Sequence, residues 1–176
     1  MKNKKIYVVL TQTYTCLAKT IKFISKKKYS HASISLDKEC KNMYSFGRKY
    51  DWFLIPGIFK KENIGKGLFV KNKNSLVAIY EVDVTSEQYE MIKSVIDRIK
   101  NNNSGYNIIG LLLAYFRIKL NRNKYYCSEF VYEVLSSEGV DIFDRNIKRF
   151  APEEMVLDNF NKIYEGKIRD YIAETI

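Results

Sequence analysis

The sequence predicts one α+β domain in which strands and helices are partly segregated along the chain. Its 176 residues suit a single compact unit and hardly two. Hydrophobic residues make up 46% and charged residues 28%, a globular balance that excludes a disordered chain. Two-residue and 3.6-residue apolar periodicities each occupy separate stretches, with no repeat, low-complexity tract or linker between residues 1 and 176.

Lys5 to Thr11 is rich in β-branched and aromatic residues and reads as a strand. Thr15 to Lys28 places Leu17, Ile21 and Ile24 on one face and Lys19, Lys22, Lys26 and Lys27 on the other, the pattern of a short amphipathic helix. Ser30 to Asp37 alternates His31, Ser33 and Ser35 against Ala32, Ile34 and Leu36, marking a strand with one face in the core. Lys38 to Asn42 is a polar turn, and Met43 to Arg48 returns as its antiparallel partner. Asp51 to Lys73, with Pro56, Gly57, Gly65 and Gly67 among aromatics and lysines, reads as a long irregular covering loop.

Ser75 to Val84 is a strongly apolar strand. Thr85-Ser-Glu-Gln88 resembles a capping box, and Tyr89, Ile92, Ile96 and Ile99 continue it as a helical stripe ended by Asn101-Asn-Asn-Ser-Gly105. Tyr106 to Lys119 predicts a second, more apolar helix. Tyr126 to Glu138 predicts a third, with Gly139 as its stop signal. Pro152 suits the first position of a helix running to about Phe160, and Ile163 to Ile168 reads as a last strand.

The longest strongly apolar run, Ile108 to Phe116, falls well short of the roughly 20 residues that span a bilayer. The basic start is followed by only a brief apolar stretch and no small-residue cleavage site, so neither a signal peptide nor a membrane anchor is expected. The net charge is +10, and it is uneven: eight lysines and no acid precede Asp37. Such a segment can attract phosphates, nucleic acid or an anionic membrane surface. The excess of Lys, 23 against 7 Arg, also reads as plain composition, since phosphate readers favour the Arg fork, and nucleic acid is not expected as a partner.

Cys16, Cys40 and Cys127 are odd in number and irregular in spacing, which argues for a reducing compartment such as the cytoplasm; membrane association stays open. One histidine and no Cys-x-x-Cys pair cannot complete a usual zinc site, so no metal is expected. Cys127 opens a predicted helix, where the backbone dipole favours thiolate and the unpaired first-turn amides can face a carbonyl oxygen. It also shares a face with Phe130, Val131 and Val134, as a buried inert cysteine would. His31 is the sole histidine and hence the one imidazole available as base and acid. A third polar group should face it from the returning strand, where Ser45 stands between two aromatics; Asn42 and Glu39 lie nearer the turn.

Thr11-Gln-Thr-Tyr-Thr15, Tyr29-Ser-His-Ala-Ser33, Met43-Tyr-Ser-Phe-Gly-Arg48 and Tyr126-Cys-Ser-Glu-Phe-Val131 together resemble the circularly permuted branch of the NlpC-type papain-like cysteine hydrolases, which includes the YiiX-like proteins and lecithin:retinol acyltransferase relatives. The resemblance extends from Ile6 to about Pro152, with Cys-Ser-Glu-Phe-Val its most specific part. As in the permuted group, His31 precedes Cys127. The resemblance implies a papain-like fold, Cys127 as nucleophile, His31 as general base and acid, and Ser45 in the third position, where many relatives carry His, Glu, Asn or Gln. It implies attack on an amide, ester or thioester carbonyl and an acyl-thioester intermediate, with no metal or organic cofactor needed. Substrates would be a small acyl-amide, a peptide or a lipid, with Ile108 to Phe116 and Trp52-Phe-Leu-Ile55 as candidate acyl-contact segments. Two alternatives stand beside it: a basic phosphate- or membrane-binding module, and a catalytically inactive member of the same fold.

Overall fold

The structure, a computed structural model, describes residues 3–12, 28–48, 57–102, 126–143 and 152–175. Its strands are β1 (Lys4–Thr11), β2 (His31–Ser35), β3 (Met43–Arg48), β4 (Gly57–Glu62), β5 (Leu76–Val84) and β6 (Asn161–Lys167). Its helices are α1 (Leu68–Lys71), α2 (Ser86–Asn102), α3 (Tyr126–Leu135) and α4 (Ile168–Thr175), with a 3-10 turn at Pro152–Met155. The strands form one antiparallel sheet in the order β4-β3-β2-β1-β5-β6. The molecule is thus α+β, as the patterning predicts.

β1 is central and covered on both faces, which explains its unbroken apolar run from Ile6 to Leu10. Ile6, Val8 and Leu10 meet Ala32, Ile34, Ala78 and Val82 on one face, under Ile92, Ile96 and Ile99 of α2 and Phe130, Val131, Val134 and Leu135 of α3. Tyr7 and Val9 join Met43, Val77 and Ile79 on the other, under Ile64, Phe69 of α1, and Ile168 and Tyr171 of α4. α2 opens with the expected capping box: Gln88 N–H donates to Thr85 Oγ1 at 3.1 Å and Thr85 N–H to Gln88 Oε1 at 2.9 Å.

Four expectations change. Asp51 to Lys73 is not irregular throughout: Gly57–Glu62 pairs along its length with β3, and Leu68–Lys71 is helical. Ladder hydrogen bonds to β3 order this edge strand without a strong apolar alternation. The helix expected from Pro152 to Phe160 is a single 3-10 turn, because the chain turns at Asp158–Asn159 and Phe160 N–H bonds Leu157 O on its way into β6. The last strand ends at Lys167, and Ile168 instead opens α4, tied to the sheet end by Ile168 N–H on Ser75 O. α3 stops at Leu135, short of Glu138, where Ile142 and Phe143 amides both turn back onto Leu135 O. The helices expected at Thr15–Lys28 and Tyr106–Lys119, Lys28 excepted, lie outside the described residues, as do Trp52 to Ile55. Among the described residues no helix is long and apolar enough to cross a membrane.

Candidate active site

The site begins where β2 and β3 part. Their registered pairing is confined to Ile34 opposite Tyr44 and Ser35 opposite Met43, while β1 stays paired with β2 as far as Thr11 opposite His31. Strand amides alternate in direction. The Leu36 N–H points toward β3, reaching Asn42 O at 3.2 Å. Ala32 shares its parity, so its amide also points that way, at a level where β3 no longer answers it. The Cys127 sulfur stands near it there, and that amide with the backbone of Ser128 favours its thiolate. Cys127 lies in the first turn of α3, which packs across β2 and β3 and buries the residue to 6% exposure. Its sulfur lies 4.0 Å from Ser30 O, beside the His31 side chain.

His31 is held from its other side. Its Nε2 lies 3.2 Å from Glu62 Oε2 and 3.3 Å from Ser33 Oγ. The same Glu62 oxygen accepts the hydroxyls of Ser45 at 2.7 Å and Ser33 at 3.1 Å. Register explains the grouping: His31, Ser33 and Ser35 share one face of β2, and Ser35 pairs with Met43, which pairs with Glu62. Glu62 leans from the end of β4 back along that face toward the imidazole.

Burial works against each charge here, and the neighbouring charges overcome it. Burial disfavours the His31 imidazolium, yet the negative charges of Glu62 and Cys127 raise its pKa to about 10. Burial pushes the Glu62 carboxyl up, but His31 and the two serine hydroxyls bring it down to about 2. Burial likewise disfavours the Cys127 thiolate, and the His31 charge with the Ala32 and Ser128 amides lowers the thiol below its ordinary value. Each shift runs toward the charged form: thiolate, imidazolium and carboxylate. That combination suits nucleophilic attack at a carbonyl.

Cys127 and His31, the two residues singled out for nucleophile and base, are therefore adjacent. Ser45 is buried but does not face the imidazole; it donates to Glu62, the group that does. Asn42 and Glu39 sit in the hairpin turn, where the Asn42 amide bonds Asp37 Oδ2. Cys40 lies in the core of the opposite sheet face, where burial drives its thiol up to about 12. Cys16 lies outside the described residues. Sequence reasoning missed Glu62. One signal was present: it is the only acid between Asp51 and Glu81, isolated among lysines. Among the described residues no cluster of three or more His, Cys, Asp or Glu is placed to hold a metal.

The pair sets a pH window for stability. Glu62 titrates lower folded than unfolded, so its contribution is present above its ordinary value of 4.5 and is lost as pH falls toward about 2. His31 titrates higher folded than unfolded, so its contribution is full below 6.5 and is lost as pH rises toward about 10. Thermal melts across pH are expected to plateau between those ordinary values, and Glu62→Gln to flatten the acid limb. An acid limb unchanged in that variant would contradict the assignment.

No protein-family model, curated protein or solved structure matches the chain.

Proposed function

We propose that this chain is a cysteine hydrolase or acyltransferase acting on an amide, ester or thioester carbonyl. The carrying observation is the placement of Cys127, at the amino end of α3, beside a His31 ring backed by Glu62. A helix-opening cysteine set against a sheet-borne histidine supports a papain-like reading. The chain order, His31 before Cys127, supports its circularly permuted NlpC-type branch.

The Cys127 thiolate adds to the carbonyl carbon, and the π pair moves onto oxygen. The first-turn amides of α3 and the helix dipole stabilise that oxyanion. Collapse expels the leaving group, which takes the proton from His31, and leaves an acyl thioester. Neutral His31 then removes a proton from water, or from an alcohol or amine acceptor, as it attacks the thioester. Collapse expels the thiolate beside the renewed imidazolium. With Nε2 engaged by Glu62, Nδ1 is the nitrogen left for these transfers. Glu62 holds the ring and its charge; Ser33 and Ser45 fix Glu62. Ser45 thus acts through Glu62 and not directly on His31.

Intact-mass measurement after mixing with activated acyl donors, nitrophenyl esters and acyl thioesters of graded chain length, tests this reading. The expected result is one acyl adduct that maps to Cys127 and decays with turnover. Adducts confined to Cys16 or Cys40 would contradict it.

A further inference from the structure

We propose that the crossover around α1 is a docking surface for an anionic lipid bilayer. Between Glu62 and Glu81 the chain carries no acid, and Lys66, Lys71 and Lys73 are all exposed. None of the three forms an ion pair among the described residues. Leu68 and Val70 stand between them at 43% and 46% exposure, and Met91 is the one other large exposed apolar side chain among the described residues. Apolar and cationic side chains thus share one small projection: apolar groups suit the acyl boundary, and ammonium groups suit anionic headgroups.

The projection is pre-organised. Gly67 takes φ +60, with nothing within 4 Å of where a Cβ would stand, and turns the chain outward. Phe69 is buried in the second core and anchors the turn between the two outward side chains. The Asn72 amide and side chain both bond Leu68 O, at 2.9 and 3.0 Å, closing the far end. Arg169 N–H on Lys73 O, at 2.9 Å, ties the following loop to α4. Little ordering entropy is left for a surface to impose. Charge complementarity selects the occupant: a neutral bilayer gains nothing from three lysines, and a dissolved phosphate gains nothing from Leu68 and Val70. The side chains of this projection make none of the hydrogen bonds that join His31, Ser33, Ser45 and Glu62.

Co-sedimentation of the full chain with vesicles of phosphatidylcholine, with or without phosphatidylserine, reads this directly. Binding is expected only with phosphatidylserine present. Lys71→Gln/Lys73→Gln is expected to weaken it by roughly 10-fold or more, from about fivefold per lysine. Leu68→Ser/Val70→Ser is expected to weaken it by roughly fivefold with the charge unchanged. Lys93→Gln/Lys100→Gln on α2 makes the same change in net charge and is expected to alter binding little. The proposal fails if the apolar double variant binds like the parent. It also fails if both lysine pairs weaken binding equally, which would mean net charge alone, or if neutral vesicles bind as well. All the substituted side chains on α1 are exposed, so unchanged thermal melts accompany a valid result.

Discussion

Cys127→Ser is expected to abolish both the acyl adduct and turnover, with a loss on the order of 10⁴-fold or more in kcat/KM. The site is tuned to hold a thiolate, and a serine hydroxyl in the same place stays protonated. His31 would then sit beside a neutral group, keeping Glu62 as its one negative neighbour. The substitution changes little in size, so the fold should persist and the melting temperature should move little. Cys40→Ser is the matched control. Cys40 is fully buried among Met43, Ile64 and Tyr171 on the other sheet face, where its thiol stays neutral. A buried hydroxyl there costs stability, roughly 1–3 kcal/mol if unpaired, while turnover per folded molecule should be retained. The two variants thus separate chemistry from packing. Full turnover in Cys127→Ser would remove the sulfur from the mechanism.

Glu62→Gln is expected to lower kcat/KM at neutral pH about 100-fold, or roughly 2.7 kcal/mol of barrier. The amide keeps the length of the side chain but takes away the charge that does most to hold His31 protonated. With that charge gone the imidazolium gives up its proton at lower pH. The thiolate in turn loses cationic support, so Cys127 ionises at higher pH. The active form needs both charges, so the bell-shaped rate profile should narrow from both sides. A merely structural Glu62 would lower the melting temperature and leave both limbs where they were. Measuring kcat/KM across pH for the two proteins distinguishes these outcomes.

Cys127 and His31 were legible because each carries a local signal that tertiary packing only completes. A cysteine followed by Phe130, Val131 and Val134 at helical spacing announces a helix start, and the alternation around His31 announces a strand. Their contact depends on α3 lying across the place where β2 and β3 separate, which local patterning does not encode. Glu62 was hidden for a related reason. β4 is an outer strand of the sheet, with β3 as its one neighbour among the described residues, and Lys60-Lys61-Glu62 shows no apolar alternation. Its order comes from backbone pairing with β3, and its role comes from a register that sets it beside Ser33 and Ser45. Without that partner strand in view, Ser45 is the polar group that the returning strand offers to the imidazole. α4 escaped because Ile168, Tyr171 and Ile172 make barely one helical repeat directly after a strand, with no turn residue to mark the change. The capping box at Thr85, by contrast, is closed by residues three apart and needs nothing distant, so its sequence and its hydrogen bonds agree.

The central claim is that sulfur is ionised beside a protonated imidazole before any substrate arrives. Thiolate ultraviolet absorbance, followed across pH as the difference between the parent protein and Cys127→Ser, measures that state directly. The expected curve shows the Cys127 thiolate already formed below the ordinary thiol value of about 8.5, and His31→Gln moves that ionisation upward. A Cys127 signal that rises only above that value, and is indifferent to His31→Gln, would contradict the ion pair and the mechanism built on it.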